Sequence, residues 1–159
     1  MESFALEYEN ATNEFFETVR LLSDSNLDIS DTQGWSPRQV VHHMADSETQ
    51  SYARLRRLIA EPNTEIQGYD ENIWSESSVL GYKVLDIDLS LDVIRAVRKS
   101  SCEIVRRLPN EFINNACFHS ESGRYSIGDW ISTYTKHPID HSNQIKMLLK
   151  SAGKSFNDS

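Results

Sequence analysis

The chain has 159 residues and a net charge of −8 at pH 7, with 38% hydrophobic and 25% charged residues, which is typical of one globular domain. The acidic balance argues against binding to nucleic acid, and no stretch approaches the roughly 18 apolar residues that cross a membrane. The low content of 6 Gly and 4 Pro argues against an all-β fold and favours helices.

The N-terminal third of the chain predicts two amphipathic helices. Apolar residues spaced three or four apart indicate the first helix over residues 2–23. The second begins after Ser36, a residue type that caps helix N-termini, with Pro37 at the first helical position. The same spacing continues until the chain reaches Pro62, where we expect the helix to stop.

A long connection over residues 61–90 follows the second helix and contains Tyr69 and Trp74. Connections of this length inside a compact domain are usually functional or contain short secondary structure. We therefore expect this segment to border a functional site.

The C-terminal half predicts two further helices. The third is expected to begin after Ser90 and to end at Pro109. The fourth begins near Ser126, with Asp129 three positions later in the arrangement of a capping box, and ends at Gly153. A shorter connection between them contains a predicted turn at Ser122 and Gly123.

Together these elements predict an all-α fold, a four-helix bundle with one long connection between helices 2 and 3. We expect one domain over residues 1–153 and a flexible tail over residues 154–159. The N-terminus has early acidic residues and no long apolar run, so we expect no signal peptide and a cytoplasmic location. Cys102 and Cys117 form no C-x-x-C motif and have no activating neighbour, so we expect no catalytic thiol.

His137 and His141 are the sharpest candidates for a chemical site. Residues four apart lie on the same face of a helix, and both histidines fall on the inward stripe of the fourth helix. Two imidazoles placed in this way can chelate one metal ion. The alternative is a pair of core histidines that are satisfied by hydrogen bonds.

His42 and His43 compete for the role of third ligand. On a wheel of about 3.6 residues per turn, His43 lies at the flank of the apolar face and can reach inward, whereas His42 points to solvent. The alternative for His43 is a boundary residue that packs on a neighbouring helix. His119 lies in a predicted loop, is expected to be exposed and is left out of the site. Three histidines leave coordination positions open, as in catalytic metal sites.

Three segments carry a family resemblance: Trp35 to Ser47 with the sequence WSPRQVVHHMADS, Tyr69-Asp70-Glu71 followed by Trp74, and Glu121 to Arg124 leading into His137-Pro138-Ile139-Asp140-His141 and Gln144. On these residues the sequence resembles the DinB/YfiT-like superfamily of metal-binding four-helix bundles over nearly its whole length. The resemblance implies that His43, His137 and His141 bind one divalent ion, Zn²⁺ or Ni²⁺. Homodimers occur among relatives.

The resemblance also implies an enzyme. Family members characterised as enzymes are S-transferases that use low-molecular-weight thiols such as bacillithiol or mycothiol, or related isomerases. The leading hypothesis is that a metal-bound thiol attacks a small electrophile held near Tyr69 and Trp74. The YfiT branch is described as candidate metal-dependent hydrolases, so the alternative is metal-activated water with Glu48 as general base. A third hypothesis is a metal-binding bundle without catalysis.

Several residues near the expected site leave their roles open. The alternative for Glu48 is a structural role as the partner of an arginine or as a boundary residue. Asp46 and Asp140 are expected to orient histidines. Pro138 departs from the family sequence and lies inside the fourth helix. Because proline has no backbone N–H, it removes the helical hydrogen bond to Tyr134 and predicts a kink at the metal site.

Overall fold

The fold is described from a computed structural model, over residues 1–30 and 34–153. Its elements in chain order are α1 (Glu2–Val19), α2 (Pro37–Ala60), β1 (Glu65–Ile66), α3 (Glu71–Glu76), α4 (Asp88–Arg107), a 3₁₀ helix (Asn110–Asn114), β2 (Ala116–His119), β3 (Gly123–Ser126) and α5 (Ile127–Ser151). The four long helices confirm the predicted bundle, in which α1 and α2 each pack against both α4 and α5. The tail predicted over residues 154–159 lies outside the described residues. Within the described part, no helix is both long and apolar enough to cross a membrane.

The starts of α2 and α5 follow from their capping residues. The Ser36 side chain accepts a hydrogen bond from the Gln39 backbone N–H, and the Gln39 side chain caps Ser36 in return. Ser126 and Asp129 form the same reciprocal arrangement at the start of α5. Each capping box pairs two backbone N–H groups that would have no partner at an uncapped helix N-terminus. Both helices therefore begin at one defined residue.

The start predicted for α4 is wrong by about one turn. The helix begins at Asp88 rather than after Ser90, and the side chain of Asp86 accepts from the Asp88 backbone N–H at 2.8 Å. This local bond to an aspartate two residues earlier competes with the expected serine cap. It also brings Ser90 inside the helix, where its hydroxyl meets His42 of α2 at 2.9 Å.

A small three-stranded sheet covers one end of the site and was not predicted. β1 pairs in parallel with β2, and β2 pairs antiparallel with β3. The turn between β2 and β3 ends at Gly123, whose φ of +76° confirms the predicted turn and favours glycine. Strands of 2–4 residues are too short for alternating hydrophobicity to be recognised in a sequence. One of its strands, β2, contributes His119 to the lining of the cavity described below.

A polar layer divides the core of the bundle into two apolar clusters. One cluster is built around Trp130, Tyr8 and Leu55, and the other around Phe15 and Met44. Along α1, α2, α4 and α5 the residues between the clusters include the buried or half-buried polar side chains of Thr12, Glu48, Arg98, His137 and His141. Buried polar groups need partners, so this layer is the place where the bundle can hold chemistry.

Candidate metal centre

His43 from α2 meets His137 and His141 from α5 in the polar layer. The Nε2 atom of His137 lies 3.2 Å from Nε2 of His43 and 3.0 Å from Nε2 of His141. Each of the three offers a ligand atom within 4.8 Å of the other two. In a tetrahedral zinc site with Zn–N bonds of about 2.0–2.1 Å, neighbouring nitrogens lie about 3.3–3.4 Å apart. Two of the three nitrogen pairs therefore already have nearly the spacing of ligands to one ion, and the third pair lies within 4.8 Å.

Burial keeps the three imidazoles neutral. It lowers the pKa of His43 to about 3, and the nearby His141 adds to this effect. Burial also lowers the pKa of His137 well below its usual value, and it lowers the pKa of His141. A neutral imidazole has one nitrogen with a free lone pair, which is the form that binds metals.

Gln144 fixes the orientation of one ligand. Its side-chain oxygen Oε1 lies 2.8 Å from Nδ1 of His141, so the Nδ1–H donates to the amide oxygen and the Nε2 lone pair is left facing the other histidines. Asp46 and Asp140, which were expected to orient histidines, do not do so. Asp46 accepts from the hydroxyl of Tyr82, and Asp140 accepts from Lys136.

The donor set fits a resident divalent ion. Because the single N–H of neutral His141 donates to Gln144, its Nε2 can face His137 only as an acceptor. His43 and His137 have one N–H each, and their Nδ1 atoms are buried without a hydrogen-bond partner among the described residues. Ring protons on the facing Nε2 atoms cannot pair all three of them, whereas a cation accepts all three Nε2 lone pairs and leaves the protons of His43 and His137 on Nδ1. Imidazole donors suit zinc and nickel, which the family resemblance implies, and they suit copper and iron as well, so the donor set does not choose the metal.

A cavity of about 190 Å³ opens beside His43 and His137. Glu71 at the start of α3 lies in its wall, with its Oε2 atom 3.7 Å from Nε2 of His43. Tyr69 also lines the cavity, whereas Trp74 lies outside this lining and packs on the Tyr69 ring at a centroid distance of 4.6 Å. The long connection therefore does border the site.

Glu48 lies in the same polar layer but has another partner. Its Oε1 atom accepts from Nη1 of Arg98 at 2.6 Å, and both side chains are buried. Glu48 does not line the cavity beside the histidines. The structure thus gives Glu48 the arginine partner that was the alternative to a general-base role.

Two histidines differ from their predicted environments. His42 is buried rather than pointing to solvent, because its ring lies between Ser90 and the carbonyl of Leu85, contributed by the start of α4 and the segment before it. His119 is buried as well, at 7% exposure, and belongs to β2 rather than to a loop. A helix wheel of α2 carries no information about neighbours that arrive from the long connection, and β2 was too short to be recognised.

The cavity contains three functional candidates that reasoning from the sequence did not assign: Arg54, Glu71 and His119. The Tyr69-Asp70-Glu71 motif was noted for its resemblance, but nothing in its spacing placed Glu71 next to His43. Asp70 caps α3 by accepting from the backbone N–H groups of Asn72 and Ile73, which sets the position of Glu71. Only the packing of α3 on α2 brings that carboxylate to the histidines.

Fold and site together define a four-helix bundle that presents three facing histidines to a cavity, and comparisons with known proteins identify its family. The chain belongs to the DinB superfamily, whose family model matches residues 7–145. A relative from Oceanobacillus iheyensis, named as a candidate metal-dependent hydrolase, is 37% identical over 146 residues, which cover 87% of this chain and 83% of the relative. A Bacillus cereus protein with the same description is 30% identical over 151 residues, covering 94% of this chain and 86% of the relative.

A solved structure has the same fold. YfiT from Bacillus subtilis superposes with a TM-score of 0.87 at 27% sequence identity, covering 96% of this chain and 87% of that chain. That protein is described as a candidate metal-dependent hydrolase with an unusual four-helix bundle topology. The comparison confirms the predicted bundle of the DinB/YfiT-like type.

Proposed function

We propose that this protein is a metal-dependent hydrolase in which His43, His137 and His141 hold one divalent ion. The observation that carries the proposal is the convergence of three neutral Nε2 atoms beside an open cavity, with the Glu71 carboxylate 3.7 Å from one of them. The names of the relatives from Oceanobacillus iheyensis and Bacillus cereus support the reaction class. Thiol S-transfer, the leading hypothesis from the sequence, becomes the second candidate.

Among the residues that line the cavity beside the histidines there is no thiol. Both cysteines, Cys102 and Cys117, are buried and free, and neither lines the cavity beside the histidines. A divalent ion held by three histidines supplies a Lewis acid that lowers the pKa of water and polarises a substrate oxygen. The remaining work of positioning substrate and moving a proton falls to the side chains of the cavity wall.

Glu71 is the general base in this proposal, in place of Glu48. Burial raises the pKa of its carboxyl group, and the nearby acids Asp70 and Glu121 raise it further. A raised pKa brings the carboxylate closer to neutral pH, where a general base is most effective. Its Oε2 atom already lies near His43, within reach of a water molecule placed beside the histidines.

The test is hydrolysis of a panel of chromogenic carboxylic and phosphoric esters by protein loaded with Zn²⁺ or Ni²⁺. Glu71→Gln should retain its metal and lower kcat by about 10²- to 10⁴-fold. Glu76→Gln is the matched control, because Glu76 lies on the same short helix but pairs with Lys83 at the surface. If metal-loaded protein hydrolyses nothing on the panel, the hydrolase proposal is refuted. If wild type and Glu71→Gln have equal rates, Glu71 is not the general base.

The second candidate is transfer of a low-molecular-weight thiol to an electrophile. It is compatible with the absence of cysteine from the cavity lining, since the thiol would then come from solution, as water does in the hydrolase. The two functions are separated by supplying cysteine, glutathione or bacillithiol together with a haloaromatic electrophile. Metal-dependent loss of free thiol would establish the transferase. If the electrophile is instead hydrolysed at the same rate with and without thiol, thiol transfer is excluded for that substrate.

A further inference from the structure

His119 lies at the boundary between two cavities. It lines the metal cavity and also an adjoining cavity of about 460 Å³, and Arg54 and Thr133 are the other side chains common to both. The histidine ring is held at the end of β2 and packs on Tyr125 at a centroid distance of 5.8 Å. A substrate that reaches from the histidine cluster into the larger cavity has to pass these residues.

The hydrogen bonding of His119 determines which ring nitrogen carries its proton. The backbone N–H of Glu121 donates to Nδ1 of His119 at 3.2 Å. A backbone N–H is always a donor, so Nδ1 must offer its lone pair and the proton of the neutral ring must reside on Nε2. Adding a second proton at Nδ1 would break this bond. Both burial and the nearby Arg54 also lower the pKa of His119.

The Nε2–H of His119 is left for a ligand. Among the described residues it has no hydrogen-bond partner. The Nε2 atom is also absent from the fully buried side-chain atoms that lack a partner, so it is accessible from the cavity. Unlike the three ligand histidines, this ring presents a donor rather than a lone pair. Its partner in the cavity therefore has to be an acceptor atom.

Arg54 adds a fixed positive charge next to this donor. Its Nη1 donates to the Tyr134 hydroxyl at 3.0 Å and its Nη2 donates to the Gln67 carbonyl at 3.1 Å, so the guanidinium is held against the cavity wall. Both acceptors are neutral groups. Neither of these hydrogen bonds therefore pairs the guanidinium charge with a carboxylate. A fixed cation beside an N–H donor attracts an oxygen atom that carries negative charge.

Two carboxylates also line the metal cavity, and Glu121 is near enough to His119 to raise its pKa, against the larger lowering by burial and Arg54. Glu71 lies beside His43. Glu121 folds back over Gly68, so closely that an added Cβ at that position would collide with its carboxyl group. The backbone of Gly68 is in turn tied to β2 by a hydrogen bond from its N–H to the Ser120 hydroxyl at 2.8 Å.

We propose that His119 and Arg54 form an oxyanion-binding subsite, with Nε2–H of His119 donating to a negatively charged oxygen of the substrate. The inference rests on the proposed function, because the bound oxygen belongs to the substrate of the metal site. It defines the substrate class as small molecules that carry a carboxylate or phosphoryl oxygen close to the bond that reacts. His119 is a substrate-binding residue in this assignment and not a fourth metal ligand.

The first test needs no turnover. In zinc-loaded protein with ¹⁵N-labelled histidine, two-bond ¹H–¹⁵N correlations should show the Nε2–H tautomer for His119, and adding inorganic phosphate should shift its Nε2 resonance. An Nδ1–H tautomer, or phosphate binding that leaves the His119 signals in place, would overturn the subsite. Because this readout is independent of hydrolysis, failure of the hydrolase proposal would not be confused with failure of the subsite.

The second test uses two amide variants with opposite expectations. His119→Gln places an N–H near the position of Nε2, whereas His119→Asn places its amide near Nδ1 and leaves the cavity without the donor. We expect His119→Gln to bind phosphate nearly as well as wild type and His119→Asn to bind it about tenfold or more weakly. Zinc content and thermal unfolding of each variant show that fold and metal centre are retained. Equal phosphate affinity of the two variants would contradict the proposal.

Discussion

Arg98 donates from Nη1 to the backbone carbonyl oxygen of Tyr134 at 3.0 Å. That carbonyl has lost its helical partner, because the residue four positions later is Pro138, which has no N–H. The guanidinium replaces the missing hydrogen bond at the level of α5 that carries His137. The same guanidinium pairs with Glu48, so the buried charge of each is compensated by the other.

This contact accounts for three features of the bundle. Pro138 is tolerated, and α5 continues without interruption from Ile127 to Ser151. Glu48 lies on the inward face of α2 because it neutralises Arg98. Arg98 is buried on α4 because its donors also reach the hydroxyl of Thr12 and the carbonyl of Tyr8 in α1. One guanidinium therefore joins all four long helices next to the metal centre.

Replacing Arg98 with methionine should destabilise the protein by about 3–5 kcal/mol, because Glu48 would remain as a buried charge without its partner. The free energy of unfolding from urea denaturation measures this effect. Arg95→Met on the same helix is the control. Arg95 pairs with Asp92 on the surface, so its loss should change the stability by about 0.5 kcal/mol or less.

Pro138→Ala should recover part of that loss. Alanine restores a backbone N–H opposite the Tyr134 carbonyl, which in Arg98→Met would otherwise lack a donor. We expect the alanine substitution to stabilise Arg98→Met by about 1 kcal/mol more than it stabilises wild type, measured as a double-mutant cycle. Additive effects in the cycle would mean that the guanidinium does not substitute for the missing helical bond.

The adjacent residues His42 and His43 provide a matched pair for the metal centre. His43→Ala should lose the bound ion, as should His137→Ala and His141→Ala, whereas His42→Ala should keep one equivalent. His42 is buried like its neighbour, but its ring bonds to Ser90 and to the Leu85 carbonyl. Metal content after purification, measured by mass spectrometry, tests this difference, and equal loss in His42→Ala would indicate a general effect on folding.

Gln144→Leu should weaken metal binding without removing a ligand. The Gln144 amide oxygen accepts from Nδ1 of His141, and loss of such an orienting contact typically lowers metal affinity by about 10- to 100-fold. A competition titration against a chromogenic zinc chelator measures the affinity. The exposed neighbour Asn143 offers the control Asn143→Ala, for which we expect unchanged binding.

The stability contributed by His119 should decrease as the pH falls below about 6.5. Burial and Arg54 lower its pKa in the folded protein, so in this range the unfolded chain binds a proton that the folded protein does not. The contribution of His119 to the free energy of unfolding is complete above its pKa in the unfolded chain. It is lost as the pH falls towards its lower pKa in the folded protein. His119→Gln has no such group, so the stability of wild type relative to this variant should fall between about pH 7.5 and pH 5. A difference that is independent of pH would contradict the expected environment of His119.

Local signals were sufficient for the helices and for selecting three histidines that the structure brings together. Capping boxes and apolar spacing act within a few residues, so the starts of α2 and α5 could be predicted from Ser36 and Ser126. The pair His137 and His141 is four residues apart on one helix, a relationship that the helix geometry makes local. His43 was selected by its position on the face of α2, together with the family resemblance.

Tertiary structure alone decided the surroundings of that centre. Glu71 and His119 reach the cavity through α3 and β2, elements of 6 and 4 residues whose position depends on packing against α2 and on pairing with β1 and β3. The pairing of Glu48 with Arg98 joins residues 50 positions apart, and the bond from Arg98 to Tyr134 joins residues 36 apart. The sequence by itself determined the periodic helices and their inward histidines, because those depend on neighbours along the chain. Contacts between distant segments decided which carboxylate lies beside the histidines and which one pairs with Arg98 in the bundle.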